Sequence, residues 1–495
     1  MSRILGLLRD HLIARMIGAG LYSDAFYTAY RIPNMLRDLL GEGALSSLVV
    51  AKLGHLKVQD GDQRVRLFIK RLFGFWGVSL SIIACIGILL SPQLVFIIAS
   101  GFSEKPEQYQ LTVELTRLMF PFIAFVGLSA LTMGVLHHQK SFGWASAASS
   151  FLNLTIILGS SLCYFIFSPD IPDMVFYLAI IYVIGSLMQW ASMWPGLIKS
   201  KTDILPANPI KFIGNDKDIK DIYLKLIPSI IGVAGVQINV LVNNNFASHL
   251  EEGTVTYMYY AFRIMQLPVG IVGVAVSTVL LPTLSEHFAK KDTNSFKNEL
   301  TNALSKVLIL SIPAIFGLCI IGPELIKVLY EHGQFSNTAT TGVWIALQGY
   351  LIGILPYVFN KNLIQAYYAR NDVKFPVIIS LSSVAVNASI NYLLAFKFGY
   401  GVFGLTLGTA IVLCFNTSAL VLGLKIKHNT SLNYTVFLKS FFKIFVMSVV
   451  MTILVYLCKH NFHFENKYLN LALPTCVGLF SYFGMLFIAK KKKII

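Results

Sequence analysis

The stretch KRLFGFWGVSLSIIACIGILLSPQLVFIIA, residues 70–99, runs from Leu72 to Ala99 without a charged side chain. Roughly 20 predominantly apolar residues carry an α-helix across the hydrocarbon of a bilayer, so this stretch predicts a membrane span. Working outward, similar runs predict helices at 1–19, 22–50, 112–136, 142–167, 173–198, 222–248, 254–285, 301–321, 339–368, 374–397, 402–424, 435–458 and 468–489. Ser168-Pro169-Asp170 and Gly322-Pro323 read as turn signals between spans, and Asn208-Pro209 sits in a longer polar stretch. That stretch, about 199–221, reads as a charged linker. The expected fold is an all-α polytopic membrane protein of about fourteen transmembrane helices. Its expected parts are an N-terminal lobe over 1–200, a second lobe over 221–425, and two extra helices over 434–490.

Composition supports a lipid solvent. Of 495 residues, 55% are hydrophobic and 13% charged, and mean hydropathy is +0.67. Soluble domains carry about 25% charged residues, so a chain this poor in charge could not cover a water-facing surface. The six cysteines stand singly, with no CxxC or Cys/His pair, which implies neither a disulfide framework nor a metal site. Met1 to Gly18 holds Arg3, Arg9, Asp10 and Arg15, which is unlike the apolar core of a cleavable signal peptide.

The net charge of +16 could suggest nucleic acid, but the basic residues sort by side. Loops after even-numbered helices, with the C-terminal tail, hold 27 of them, including Lys52, Lys57, Arg64, Arg66, Lys217, Lys220, Lys290, Lys291 and Lys490 to Lys493. The opposite loops hold five: Lys105, Lys327, Lys397, Lys459 and Lys467. Lys and Arg accumulate on the cytoplasmic side of a membrane protein. The asymmetry places both termini in the cytoplasm and explains the basic balance without nucleic acid.

Eight basic residues remain inside predicted spans: Arg3, Arg9, Arg15, Arg31, Arg37, Arg117, Arg263 and Lys361. An arginine at a helix centre costs at least ~2.5–3.5 kcal/mol on insertion scales. The five in the first two helices would cost more than about 10 kcal/mol if they faced lipid, so they face a polar cavity or one another. The acidic company is Asp10, Asp24, Asp38 and Glu42, which leaves a positive excess. A cavity with surplus arginine favours an anion, and the rigid guanidinium fork suits phosphate or diphosphate.

Residues 24–50 also align without gaps on 256–282, placing Ala29 on Ala261, Arg31 on Arg263, Ile32 on Ile264, Gly41 on Gly273 and Leu48 on Leu280. Each copy is the second helix of a six-helix set. The two sets therefore share one membrane orientation, as parallel repeats do in alternating-access transporters. No P-loop, HExxH, GxSxG or EF-hand pattern is present, so nothing here hydrolyses ATP and no cofactor is expected.

The run Ser2-Arg3-Ile4-Leu5-Gly6, Arg9-Asp10, Ala14-Arg15, Gly18-Ala19-Gly20, Asp24-Ala25-Phe26, Arg31-Ile32-Pro33-Asn34, Arg37 and Glu42-Gly43-Ala44 resembles the start of the MurJ (MviN) family of lipid II flippases. That family belongs to the multidrug/oligosaccharidyl-lipid/polysaccharide exporter superfamily. The resemblance continues through Met258-Tyr259-Tyr260, Arg263, Leu280-Leu281-Pro282, Gly333-Gln334-Phe335, Lys361 and Tyr368 to Asp372. It implies two six-helix lobes around a cavity, with two further helices bordering a lipid groove. It also implies that Arg3, Arg9, Arg37 and Arg263 hold the diphosphate of lipid II, with Asp24, Arg31 and Asn34 beside them.

The implied partners are lipid II, membrane lipids and other cell wall synthesis proteins, and the implied place is the bacterial inner membrane. Relatives carry further residues ahead of the first helix, so either that helix is shortened here or its start codon lies elsewhere. Some relatives bind Na⁺ through aspartates. The matching positions here are Asn243 and Asn391, with Asn387 one turn before Asn391, and amides hold Na⁺ less well than carboxylates. Phe262 and Gln266 flank Arg263 where relatives carry acids, which leaves that arginine without an evident partner. The rival readings are a flippase for another polyprenyl-linked oligosaccharide, a drug exporter of the same superfamily and a non-transporting membrane scaffold. A cation exporter would want acids in the cavity.

The charge asymmetry makes a direct prediction. A topology reporter fused after Lys490, and one inserted in the 199–221 linker, will both read cytoplasmic. A periplasmic signal at either position would reverse the assignment of sides.

Overall fold

Apolar runs become helices because a backbone surrounded by lipid must satisfy its own hydrogen bonds. The computed structural model describes residues 2–41, 44–200, 202–204, 217–462 and 464–491, and these contain helices and no strand. They run α1 Ser2–Ile17, α2 Leu21–Gly41, α3 Ala44–Leu89, α4 Ser91–Ile98, α5 Pro106–Met119, α6 Phe122–His138, α7 Phe142–Phe167, α8 Ile171–Ala191 and α9 Trp194–Lys199. There follow α10 Lys217–Ser248, α11 Thr254–Ala289, α12 Thr293–Tyr330, α13 Asn337–Tyr368, α14 Lys374–Asn391, α15 Gly401–His428, α16 Tyr434–Asn461 and α17 Lys467–Lys491.

Ten of the described stretches are long and apolar enough to cross a membrane, and α10, bent by 51° near residue 233, makes an eleventh. The helices carrying Arg9, Arg37 and Arg263, namely α1, α2 and α11, are not among these stretches. Lipid-facing surfaces stay apolar: Leu158, Leu162 and Phe165 of α7 are each at least 60% exposed in the isolated chain.

Several expected boundaries move. The helix expected over 22–50 is helical on both sides of Glu42 and Gly43, which lie outside the described residues, with α2 described to Gly41 and α3 from Ala44. Helix α3 kinks at Gly61, whose φ of 77° lies in the left-handed region that glycine tolerates best. Pro121 separates α5 from α6 within the span expected at 112–136. Gly322-Pro323, expected to be a turn, lies inside α12, which also accommodates Pro313. Membrane helices tolerate such prolines because neighbouring groups re-satisfy the freed carbonyls.

The chain divides into two units. The first comprises Met1–Gln237 with the short turn His332–Phe335, and the second Ile238–Glu331 with Ser336–Ile495. In the first unit Phe26, Tyr27, Tyr30, Phe122 and Tyr182 are buried and meet edge-to-face, with centroids 4.8–5.8 Å apart. The Gln334 amide donates to the Arg15 carbonyl at 3.0 Å. Gly18 and Gly333, both at positive φ, make this close approach possible, since a Cβ on either would collide with the backbone of the opposite segment.

Polar pins hold the ends of helices. Lys52 and Arg64 of α3 reach Asp218 of α10 at 2.9 and 2.6 Å. In the second unit, a core of Leu284, Phe296, Leu300, Leu304, Leu363, Tyr367 and Leu420 is closed off by the Arg370–Asp372 turn. Burial alone would raise the Asp372 carboxyl. Hydrogen bonds from Lys427, His428 and the Phe375 amide outweigh that and hold it below the usual carboxylate range. Helices α12 and α13 are capped by Asp292 and Ser336, which accept from the amides three residues on.

Candidate functional site

Arg9 lies midway along α1 and is 6% exposed. Its Nε and Nη2 donate to Asp10 Oδ1 at 3.0 and 2.7 Å, and its Nη1 donates to Asn153 Oδ1 of α7 at 3.0 Å. Its guanidinium also lies 5.9 Å from the Tyr182 ring centre. Arg9 is thus half of a buried ion pair tied to a neighbouring helix. Removing one partner of such a pair strands a buried charge, at a cost of about 3–5 kcal/mol. Sequence reasoning named Asp10 only as nearby acid and did not single out Asn153. A polar residue in the apolar run of α7 was the available signal.

The α2 arginines differ. Arg37 is about one-third exposed and donates Nε and Nη2 to Asp38 Oδ1 at 3.1 and 2.9 Å. Asn34 and Gln237 donate to the other oxygen, Asp38 Oδ2, at 3.4 and 3.5 Å. The structure therefore gathers Asn34, Arg37, Asp38 and Gln237 into one partly exposed polar group. Arg31 is half-buried one and a half turns earlier, Asp24 is buried in the first turn of α2, and Arg3 is exposed at the start of α1.

In the second unit, Arg263 of α11 is half-buried. Its Nη2 donates to the Tyr259 hydroxyl at 3.0 Å, and its guanidinium lies 5.1 Å from that ring's centre. The expectation that Arg263 lacks a partner is corrected, because Tyr259 stands four residues earlier on the same helix face. Its neighbour Phe262 packs instead on Tyr350 and Tyr357 of α13. Close by on α11, Ile264, Leu267 and Pro268 line an apolar cavity of about 370 Å³. The other walls are α12, α16 and α17, with Leu318, Val455, Gly478 and Tyr482 among the contributors. One helix of the second unit thus carries both a cationic fork and a wall of an apolar groove.

Asn243 of α10 and Asn387 and Asn391 of α14 form one amide cluster. Asn243 Oδ1 accepts from Asn387 at 2.9 Å and from Asn391 at 2.7 Å, while Asn243 Nδ2 donates to Thr409 of α15 at 3.0 Å. Asn239 extends it to Ser383 at 3.0 Å. Gly408 makes room for the Asn391 carboxamide. Neutral amides here donate to one another where a bound cation would need oxygens directed inward. Among the described residues, no group of three His, Cys, Asp or Glu could hold a metal ion.

Known proteins share this fold. The solved structure "Lipid II flippase MurJ, inward closed conformation" superposes with a TM-score of 0.82 at 25% identity, covering 100% of this chain and 98% of that one. An inward-facing multidrug exporter of the MATE family gives 0.67 at 14% identity over 90% and 94%, which is a likeness of fold alone. The architecture is therefore that of the helical membrane exporters. In sequence, the chain is 32% identical to the lipid II flippase MurJ of Burkholderia cenocepacia, over 99% of this chain and 95% of that protein. It is 30% identical to the probable lipid II flippase MurJ of Rickettsia prowazekii over the same shares. The family model "Lipid II flippase MurJ" matches residues 13–473, and the chain belongs to that family.

The amide cluster makes a prediction about ions. Replacing Na⁺ by a large organic cation at constant potential will leave transport within about twofold, and Na⁺ will not raise the thermal midpoint of the purified protein. Asn243→Asp combined with Asn391→Asp should create midpoint stabilisation by Na⁺, because carboxylates supply the missing charge. A tenfold fall in transport by the unaltered chain without Na⁺, about 1.4 kcal/mol of coupling, would contradict this reading.

Proposed function

We propose that the chain flips lipid II, the undecaprenyl-diphosphate-linked peptidoglycan precursor, from the cytoplasmic to the periplasmic leaflet of the bacterial inner membrane. The observation that carries this is the pairing on α11 of Arg263 with a wall of the apolar groove. A lipid diphosphate needs both: a cationic fork for its phosphates and an apolar track for its tail. In the first unit, Arg37 is partly exposed and its fork is held in orientation by Asp38. Arg9 braces α1 against α7 through its buried pair, and Arg3, Arg31, Asp24 and Asn34 complete the polar surroundings.

Inward- and outward-open states alternate, as in other repeat-built transporters, driven by an ion gradient, the membrane potential or the substrate's own gradient. Both termini lie in the cytoplasm, and lipid II and bulk membrane lipids are the partners. The surplus of arginine disfavours a cationic drug as cargo.

The test is complementation of flippase-depleted cells, with membrane abundance measured for each variant. Arg37→Lys and Arg263→Lys keep the charge but lose the bidentate fork, so transport should fall about tenfold, ~1.4 kcal/mol, at normal abundance. Arg9→Ala should instead lower abundance by breaking the buried pair with Asp10, and adding Asp10→Asn should restore abundance but not transport. Normal complementation by Arg9→Ala, Arg37→Ala and Arg263→Ala, each at normal abundance, would remove the arginines from the mechanism and the anionic cargo with them.

A further inference from the structure

A second cavity, also of about 370 Å³, lies in the second unit where α12 and α16 end and α17 begins. Its charged lining is Glu324 and Lys327 of α12, Lys459 of α16, Glu465 in the connecting turn and Lys467 of α17. Three of the five lysines on the lysine-poor side of the protein thus meet at one place.

This cavity lies along the same three helices as the apolar groove. On α12 the groove residue Ile321 precedes Glu324 by three positions. On α16 Val455 precedes Lys459 by four, and on α17 Lys467 precedes the groove residue Pro474 by seven. At 1.5 Å per residue, the polar cup therefore begins roughly one to two turns beyond the groove on all three helices. A polar cup above an apolar slot has the shape of a membrane lipid, with headgroup and acyl chain in sequence.

The cup carries both signs of charge. Lys459 is engaged, donating to Glu324 Oε1 at 2.8 Å and to the Ile320 carbonyl at 3.0 Å. Lys327 stands 3.6 Å from Glu331 Oε1, beyond hydrogen-bonding reach, while Glu331 Oε2 already accepts from Thr340. An ammonium has three donors, so Lys327 can serve a phosphate. Glu324 Oε2 is buried and accepts no hydrogen bond among the described residues. An unmet buried acceptor is costly, and it points to a donor that the protein does not itself supply.

We propose that this cup binds the phosphoethanolamine headgroup of a bulk phospholipid, with one acyl chain entering the apolar groove. The phosphate sits on Lys327 and Lys467, and the primary ammonium donates to Glu324 and Glu465. The two carboxylates repel a diphosphate, so the cup is not a second substrate site. The lipid covers the groove from the lysine-poor side, and a long-tailed substrate must displace its chain. This rests on the second unit's geometry alone and stands or falls separately from the flippase reading.

The experiment is native mass spectrometry of the delipidated full chain, titrated with phosphatidylethanolamine, phosphatidylcholine and phosphatidylglycerol of matched chains. Phosphatidylethanolamine should bind about fivefold or more tightly than phosphatidylcholine, whose quaternary nitrogen has no N–H to donate, and more tightly than phosphatidylglycerol. Glu465→Gln, at an exposed position, should narrow that preference, and Lys327→Gln should weaken all three lipids, each by up to about fivefold. Free phosphoethanolamine should compete poorly, because it lacks the chain.

Equal binding of the three phospholipids would overturn the proposal, as would unchanged binding to a Lys327→Gln, Glu465→Gln double variant. Competition by free phosphoethanolamine as strong as by the lipid would overturn the groove's part in it. Undecaprenyl diphosphate bound more tightly than any phospholipid, with loss on Lys327→Gln, would make the cup a substrate site instead.

Discussion

A guanidinium in hydrocarbon is the constraint around which this molecule is arranged. Each one facing lipid would cost at least ~2.5–3.5 kcal/mol, so α1, α2 and α11 must direct Arg9, Arg37 and Arg263 away from the acyl chains. The sorting of side chains follows from this. Large aliphatic and aromatic residues are exposed on α7, α16 and α17, where lipid is the solvent. Beside Arg9, by contrast, Asp10, Asn153 and the Tyr182 ring replace the water the cation has lost.

The three arginines meet that constraint in different ways, and the differences bear on function. Arg9 has most of its hydrogen-bonding capacity committed inside the protein, which suits a brace. Arg37 is steadied by a carboxylate that is itself held by Asn34 and Gln237. Arg263 leans on a tyrosine hydroxyl and ring, a softer partner than a carboxylate. The amide cluster of Asn243, Asn387 and Asn391 is polar without formal charge.

The spans were legible because apolar runs of membrane length have few alternatives. Interruptions were less legible. Pro323 sits within α12 while Pro121 divides α5 from α6, and the dipeptides alone do not distinguish these outcomes, because neighbouring helices decide which freed carbonyls are satisfied. At the candidate site, the arginines themselves were legible as charges inside apolar runs, but partners distant in sequence stayed hidden: Asn153 for Arg9, Gln237 for Asp38, Thr409 for Asn243. Tyr259 could have been found, since it lies four residues before Arg263 on one helical face. The polar cup above the groove had no sequence signal beyond lysines scattered over more than a hundred residues.

The central claim is that partly exposed guanidinium forks recognise a lipid diphosphate, and the most direct measurement leaves the protein unaltered and varies the lipid. The purified chain is titrated with undecaprenyl diphosphate, undecaprenyl monophosphate and undecaprenol in the same detergent. A diphosphate cradle predicts affinity falling in that order, by at least about tenfold (~1.4 kcal/mol) from diphosphate to monophosphate. Equal affinity for all three would mean that the tail alone is recognised and that the arginines serve the fold rather than the cargo.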